Sequence, residues 1–318
     1  MEGKTTANRK IGIVGTGLVG SSFAYALMIR HVASELVLVD ANPEKALGEA
    51  MDLNHGLSFT RPMKITAGGY ADLAGSHAVV IAAGASQKPG ETRLDLLARN
   101  AAIFREIVPQ VAKYNPDGII VIATNPVDIL TFVSLEVSGL PPGRVIGSGT
   151  ILDTSRFRFL LGQHYDVDAR SVHAYIIGEH GDSELPVWSL ASIGGMRLQD
   201  FASRESKKYV QSDLDRIFIK VRDAAYEIIK RKNATYYAIG LGLVSIVEAI
   251  VGDYRNVMSV STLMTGQHGV SGMCLSLPCT VGARGVEDVL TLNLSSAEEQ
   301  QFRASAEKLK ATLAQIHA

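Results

Sequence analysis

With 318 residues, 47% of them hydrophobic and 20% charged, the chain can bury a substantial core and suits one large or two ordinary domains. A formal net charge of -1 provides no excess of Lys and Arg for nucleic acid or an anionic membrane, so function must be read from a local site. Cys274 and Cys279 lie among Leu275, Leu277 and Val281 with no second ligand pair nearby; they read as buried reduced thiols, and no metal is expected.

Residues 1–10 are polar, and the first apolar stretch, 11–14, breaks at Gly15, too short for a signal-peptide core or a membrane span. A cytoplasmic location is the expectation. From residue 11 to about 150, short apolar runs at 11–14, 36–39, 78–82, 118–123 and 145–146 alternate with helical patterns. Strands covered on both faces read this way, so residues 1–150 are expected to form a doubly wound parallel sheet of the Rossmann kind.

Within that half, Gly15-x-Gly17-x-x-Gly20 follows the first strand and opens a helix, and Asp40 ends the second strand 20 residues beyond Gly20. Gly15 permits the tight turn, Gly17 lets backbone approach a pyrophosphate, and Gly20 lets helix and strand pack closely. Asp40 is placed to accept bonds from the adenosine ribose hydroxyls and to repel the extra phosphate of NADP, so NAD is the expected cofactor. The competing reading is a glycine turn in a nucleotide-free domain. Lys45 and Tyr70 are candidates to flank the adenosine, but a solvated lysine and a packing tyrosine fit equally well. Gly84 and Ala85 end the third run, where such sheets place ligands. Residues 86–93 read as a mobile loop over the cofactor, and Arg93 could swing in with it to polarise a carbonyl, or simply stay solvated. Asn125 follows the next run and could donate to substrate or nicotinamide.

Residues 151–318 are expected to form a separate α+β substrate unit: a strand at 172–177, a long helix from 213 to about 251, and antiparallel strands at 257–260, 272–276 and 289–292. Ser296 and Glu299 form a possible capping box for a terminal amphipathic helix. Removing hydride from a hydroxyl-bearing carbon needs a group that takes the hydroxyl proton, and histidine suits this near neutral pH. His180, in Gly178-Glu179-His180-Gly181-Asp182, sits after a strand between glycines, although a lone histidine is more often structural. Asp153 is placed to orient its other ring nitrogen. Arg156, three residues on, could grip a substrate carboxylate, or form only a local ion pair with Asp153. Arg158 must point to a different face.

Over nearly its whole length the chain is similar to the L-lactate dehydrogenase family, within the wider lactate/malate dehydrogenase superfamily. That resemblance implies a homotetramer or dimer that uses NAD in the reversible reduction of pyruvate to L-lactate. It implies that His180 is the proton donor and acceptor, Asp153 its partner, Arg156 the carboxylate clamp and Arg93 the loop arginine. By the same likeness Asn125 contacts substrate and nicotinamide, Thr235 walls the substrate, Ile239 packs on nicotinamide, and Val19 and Ser148 line the cofactor cleft. Gln87 stands at the specificity position, where malate dehydrogenases carry an arginine; a neutral side chain there leaves the second carboxylate of oxaloacetate without a partner and favours pyruvate. Arg158 and His173 resemble the pair that binds fructose 1,6-bisphosphate at a subunit interface in allosteric bacterial members, which implies activation by that sugar. Ser86, where relatives often have Asn, is a mild departure. Two alternatives remain: a malate or branched 2-hydroxyacid dehydrogenase on the same scaffold, or a binding protein that kept the fold without turnover.

Overall fold

In the computed structural model, which describes residues 9–85, 90, 92–201 and 209–317, strands form where the sequence offers short unbroken apolar runs. β1 (Lys10–Val14), β2 (Glu35–Val39), β3 (Lys64–Ala67), β4 (Ala78–Ile81), β5 (Ile119–Ile122) and β6 (Val145–Gly147) pair in parallel, in the order β3-β2-β1-β4-β5-β6. This is the doubly wound order, with its reversal between β1 and β4. β3 goes beyond the sequence reading. Of Lys64-Ile65-Thr66-Ala67 only Ile65 is fully buried, the mark of an edge strand with a charged rim rather than a core run.

The crossovers are α1 (Leu18–Arg30), α2 (Pro43–Gly56), α3 (Arg93–Tyr114) and α4 (Val127–Ser138). Two-residue periodicity sends Val79 and Ile81 of β4 to one face, against Phe104 and Val108 of α3 and Val133 of α4. Ala78 and Val80 go to the other face, against Phe23 and Leu27 of α1.

In the second half, α5 (Ile151–Tyr165) leads into β7 (Val172–His173), β8 (Ile176–Ile177), β9 (Leu185–Pro186), β10 (Ser192–Ile193) and β11 (Met196–Arg197). The single strand expected over 172–177 is thus two. β7 pairs with β10 and β8 with β9, and the switch occurs at Ala174-Tyr175, where Arg158 Nε donates to the Ala174 carbonyl at 3.0 Å.

The long helix expected from 213 to 251 is three: α6 (Gln211–Arg222), α7 (Ala224–Lys232) and α8 (Tyr237–Gly252). α7 ends because Asn233 takes a left-handed conformation with φ of 68°, which Asn tolerates better than other side-chain-bearing residues. The break turns the chain back toward the sheet and brings Thr235 and Ile239 beside it.

β12 (Asn256–Thr265), β13 (Ser271–Gly282) and β14 (Gly285–Val289) are antiparallel, as expected, but do not stand as a separate sheet. β12 pairs with β6 through Ser261 and Gly147, so that among the described residues one nine-stranded sheet spans both halves and the β6 edge is covered. β14 begins at Gly285, not near 289, because the turn after Gly282 returns the chain at once; Leu292 and Leu294 then pack on the core instead of pairing.

α9 (Ser296–His317) closes the fold, burying Phe302, Ala306, Leu309 and Leu313. Its capping box lies one residue earlier than expected, with Ser295 and Glu298 bonded to each other, because Glu298 is also held by the N–H and hydroxyl of Ser189. Among the described residues no helix is long and apolar enough to cross a membrane, and Cys274 and Cys279 are buried and unpaired.

Candidate active site

The carboxyl ends of β1, β4, β5 and β6 converge on a cleft of about 410 Å³ at the switch point of the sheet. At its cofactor end Gly15 has φ of +97°, and a Cβ there would meet the Ala83 backbone at 2.3 Å, so the β1–α1 turn admits only glycine. A Cβ on Gly17 would meet nothing within 4 Å, which leaves open space beside the start of α1. Gly17 is also the N-cap and supplies no side-chain cap, so first-turn N–H groups are left for an anion. A pyrophosphate fits this arrangement. Gly20 packs against the same turn, its missing Cβ leaving room for the Gly15 carbonyl.

Asp40, at the end of β2, accepts from the Thr16 N–H at 2.7 Å, the Thr16 hydroxyl at 2.9 Å and the Asn42 N–H at 3.0 Å. Burial raises its pKa, but these bonds and the nearby Lys45 charge outweigh it and hold the carboxyl below its usual range. An ionised acceptor therefore stands where ribose hydroxyls are expected. Thr16, which orients it, went unnoticed in the sequence. Lys45 is exposed on α2, near enough to act on Asp40. Tyr70 is half-buried and packs against the core.

Val19, Gly84, Ala85, Asn125, Ser148 and Ile239 all line the cleft. Asn100, from α3, fixes two of them: it is 2% exposed, accepts from the Ala85 N–H at 2.8 Å and donates to the Asn125 carbonyl at 3.4 Å. Its only signal in the sequence is an amide on the apolar face of a helix.

At the other end, His180 and Arg156 line the cleft with Thr235. His180 Nδ1 lies 2.5 Å from Asp153 Oδ2, and Arg156 Nη1 donates to Asp153 Oδ1 at 2.9 Å. Asp153 thus serves both; the ion pair with Arg156 forms while the guanidinium still reaches the cleft. The pair exists because α5 starts immediately after β6 and places Asp153, 2% exposed, in its first turn. The His180 loop is fastened by a residue missed in the sequence: Asp128 of α4 accepts the His180 N–H at 2.7 Å and the Ser261 hydroxyl at 2.6 Å.

Burial alone would lower the His180 pKa, but the Asp153 carboxylate, with Asp128 and Glu184 near it, pushes it up to about 9. Asp153 is raised by burial yet held below its ordinary value overall by His180 and Arg156. The site therefore holds a carboxylate, a guanidinium and an imidazole that favours its protonated form, with Nδ1 committed to Asp153 and Nε2 left for a ligand.

Arg93 is not in the cleft. Thr92 and Asp95 form a capping box that starts α3 at Arg93, so the residue opens a helix rather than ending a loop. Its side chain, 75% exposed, reaches the Tyr226 hydroxyl at 3.3 Å and Asp182 at 3.6 Å, beside the cleft. Ser86 and Gln87 lie outside the described residues. Arg158 faces away from Arg156, as expected, into a separate surface cleft of about 540 Å³ shared with Arg170; its guanidinium stands 5.1 Å from the centre of the Tyr175 ring. His173 is exposed on β7, next to the Ala174 carbonyl that Arg158 holds.

Residues 9–147 match the lactate/malate dehydrogenase NAD binding domain, and residues 150–318 the lactate/malate dehydrogenase alpha/beta C-terminal domain. The chain is 52% identical to the L-lactate dehydrogenase of Priestia megaterium over 97% of its own length and 96% of that protein's. It is 48% identical to L-lactate dehydrogenase 1 of Clostridium acetobutylicum over 97% of its length and 99% of that protein's. A lactate dehydrogenase, MGS-M5, from a Medee basin deep-sea metagenome library superimposes with a TM-score of 0.95 at 45% identity, covering 98% of this chain and 99% of that one. The minor L-lactate dehydrogenase of Enterococcus mundtii gives 0.93 at 44% identity, over 96% and 98%. With both halves of the chain matched in this way, around a cleft that offers a glycine turn fit for a pyrophosphate at one end and a histidine–aspartate pair beside an arginine at the other, the chain belongs to the lactate/malate dehydrogenase family of NAD-dependent oxidoreductases.

Proposed function

We propose that this protein interconverts pyruvate and L-lactate, with His180 as the proton donor and acceptor. The observation that carries this is the His180–Asp153–Arg156 cluster in the cleft that also holds the nicotinamide-side residues Asn125, Ser148 and Ile239. Bound NADH supplies the hydride, and NAD takes it back in the reverse direction. Arg156 pairs with the substrate carboxylate by two parallel bonds and aims the 2-oxo group at His180. His180 Nε2 donates its proton to the carbonyl oxygen as negative charge develops there, and Asp153 holds the ring in the orientation that makes Nε2 the donor. In the oxidative direction the neutral imidazole takes the hydroxyl proton.

Arg93 supplies a second cation to the carbonyl oxygen when it leaves Asp182 and Tyr226, and Thr235 walls the substrate's methyl side. Gln87 selects pyruvate over oxaloacetate. In the same reading residues 1–150 bind cofactor and 151–318 carry the chemistry, the protein is a cytoplasmic homotetramer, and Arg158 and His173 from two subunits grip fructose 1,6-bisphosphate and favour the active assembly.

Replacing His180 with Asn tests the proton role: turnover of pyruvate should be lost while NADH binding, followed by nicotinamide fluorescence, stays near that of the parent. Retained turnover would remove His180 from the mechanism. A pyruvate half-saturation unmoved by the sugar bisphosphate in phosphate-free buffer would remove the effector.

A further inference from the structure

A second cavity, of about 700 Å³, lies between residues 183–189, α6 and α9. Glu184 lines it and also belongs to the catalytic cluster: its carboxylate, the Asp153 carboxylate and the His180 ring each present an atom, all within 4.8 Å of one another. The turn that follows His180 puts it there, since the Glu184 N–H bonds to the Gly181 carbonyl at 3.1 Å and folds the chain back beneath the histidine. Glu184 is 6% exposed, and its Oε1 has no hydrogen-bond partner. A glutamate that only filled space would be a costly choice, because a buried carboxyl without partners is disfavoured relative to an amide or an apolar group.

We propose that Glu184 is a positioning residue of the reaction, a carboxyl that acts on the His180 imidazole from the side opposite the cleft and sets the pH at which the ring gives up its proton. The inference rests on the reading of His180 as the proton donor and acceptor. The charges around it are unequal. Asp153 and Arg156 face Glu184 from α5, Arg222 faces it from α6 and His180 from its own loop, while Asp128 of α4 acts on His180. On the cavity side stand Asp215 of α6 and Glu298 and Lys308 of α9, with Lys308 turned to Glu179 at 3.4 Å and Glu298 held by serines. Burial and the Asp153 carboxylate push the Glu184 carboxyl up to about 9, the range of His180 itself. One proton leaving in that range therefore belongs to both groups, and each charge state of one alters the other. When Glu184 is ionised the imidazolium is held more tightly; when it is neutral the imidazole releases its proton more readily.

The test is the pH dependence of kcat/KM for pyruvate in the intact protein, Glu184→Gln, Arg222→Gln and the double variant. Glu184→Gln removes the negative charge at nearly constant shape and should move the alkaline limb down by about half a pH unit or more, with the acid plateau within about threefold of the parent. Arg222→Gln, at a half-exposed position, removes a charge that favours ionised Glu184 and should therefore move the limb down by about 0.3 unit, and that shift should vanish when Glu184 is already Gln. An alkaline limb unmoved by Glu184→Gln overturns the proposal. Should that variant not fold, an unmoved limb in Arg222→Gln does so, and a downward shift there supports it. A parent protein that turns over pyruvate with a limb indifferent to both changes refutes only the role of Glu184; a parent that does not turn over pyruvate at all takes down the functional reading first and this proposal with it.

Discussion

Replacing Asp153 with Asn isolates the energetic role of the histidine–aspartate pair. The change keeps the shape and a hydrogen-bond acceptor beside His180 Nδ1 but removes the charge that lies 2.5 Å away. In the folded protein the imidazole is shifted from 6.5 to about 9 against an opposing burial effect, and Asp153 is the largest cause of the rise. At about 1.4 kcal/mol for each pH unit, the pair and its neighbours favour imidazolium by roughly 3 to 4 kcal/mol. Without Asp153, burial dominates and the ring should titrate at or below its ordinary value. At pH 8 the protonated fraction then falls from about nine-tenths to about 3%, a roughly 30-fold loss of kcat/KM for pyruvate beyond whatever loss appears on the acid plateau. Steady-state NADH oxidation between pH 5 and pH 10 measures this directly. An alkaline limb that stays near pH 9 in the variant would show that Asp153 does not set the protonation of His180.

Three further outcomes follow from the geometry. Arg156→Lys leaves a positive charge but loses the planar fork, so KM for pyruvate should rise by about tenfold or more with NADH affinity unchanged, as read from initial rates and a fluorescence titration. Gly17→Ala places a methyl in open space and should leave thermal stability within about 0.5 kcal/mol, yet weaken NADH binding on the order of tenfold because the methyl occupies the pyrophosphate's approach. Stability should also depend on pH in a stated direction. His180 and Glu184 both have folded pKa values near 9, raised above their ordinary values of 6.5 and 4.5, so their protonated forms stabilise the fold. That contribution is complete below pH 4.5 for Glu184 and below pH 6.5 for His180, and is lost as pH rises toward 9. Melting temperatures should therefore fall through this window, and Glu184→Gln should flatten the slope.

The cofactor half was legible because its strands are buried on both faces, which forces short continuous apolar runs, and because glycines at Gly15 and Gly20 are demanded by the tight turn and its close packing, while Gly17 leaves open space beside the helix start. The cluster of Asp153, Arg156 and His180 was legible as candidate chemistry, since these are residue types with little structural reason to occur in that pattern, and the structure joins them. What escaped was set by contacts distant in the chain. β12 lies beside β6 only because a single pairing of Ser261 with Gly147 covers an edge, and no local pattern announces it. The break between α7 and α8 in the expected long helix depends on Asn233 in a left-handed turn, a polar residue among others that look helical. Asp128 left a trace in Val127-Asp128-Ile129-Leu130, a charge inside an apolar run, but what it holds, the His180 N–H, lies 52 residues away. Arg93 shows the limit from the other side: its role was inferred from a loop, while Thr92 and Asp95 place it at the head of a helix.

In the proposed function the cleft passes hydride and proton to pyruvate and not to a substrate with a second carboxylate. Initial rates of NADH oxidation by the purified protein with pyruvate and with oxaloacetate, compared as kcat/KM at one pH, test it most directly. The expected result is a clear preference for pyruvate, reversed toward oxaloacetate in Gln87→Arg; a parent protein that prefers oxaloacetate would overturn the proposed function.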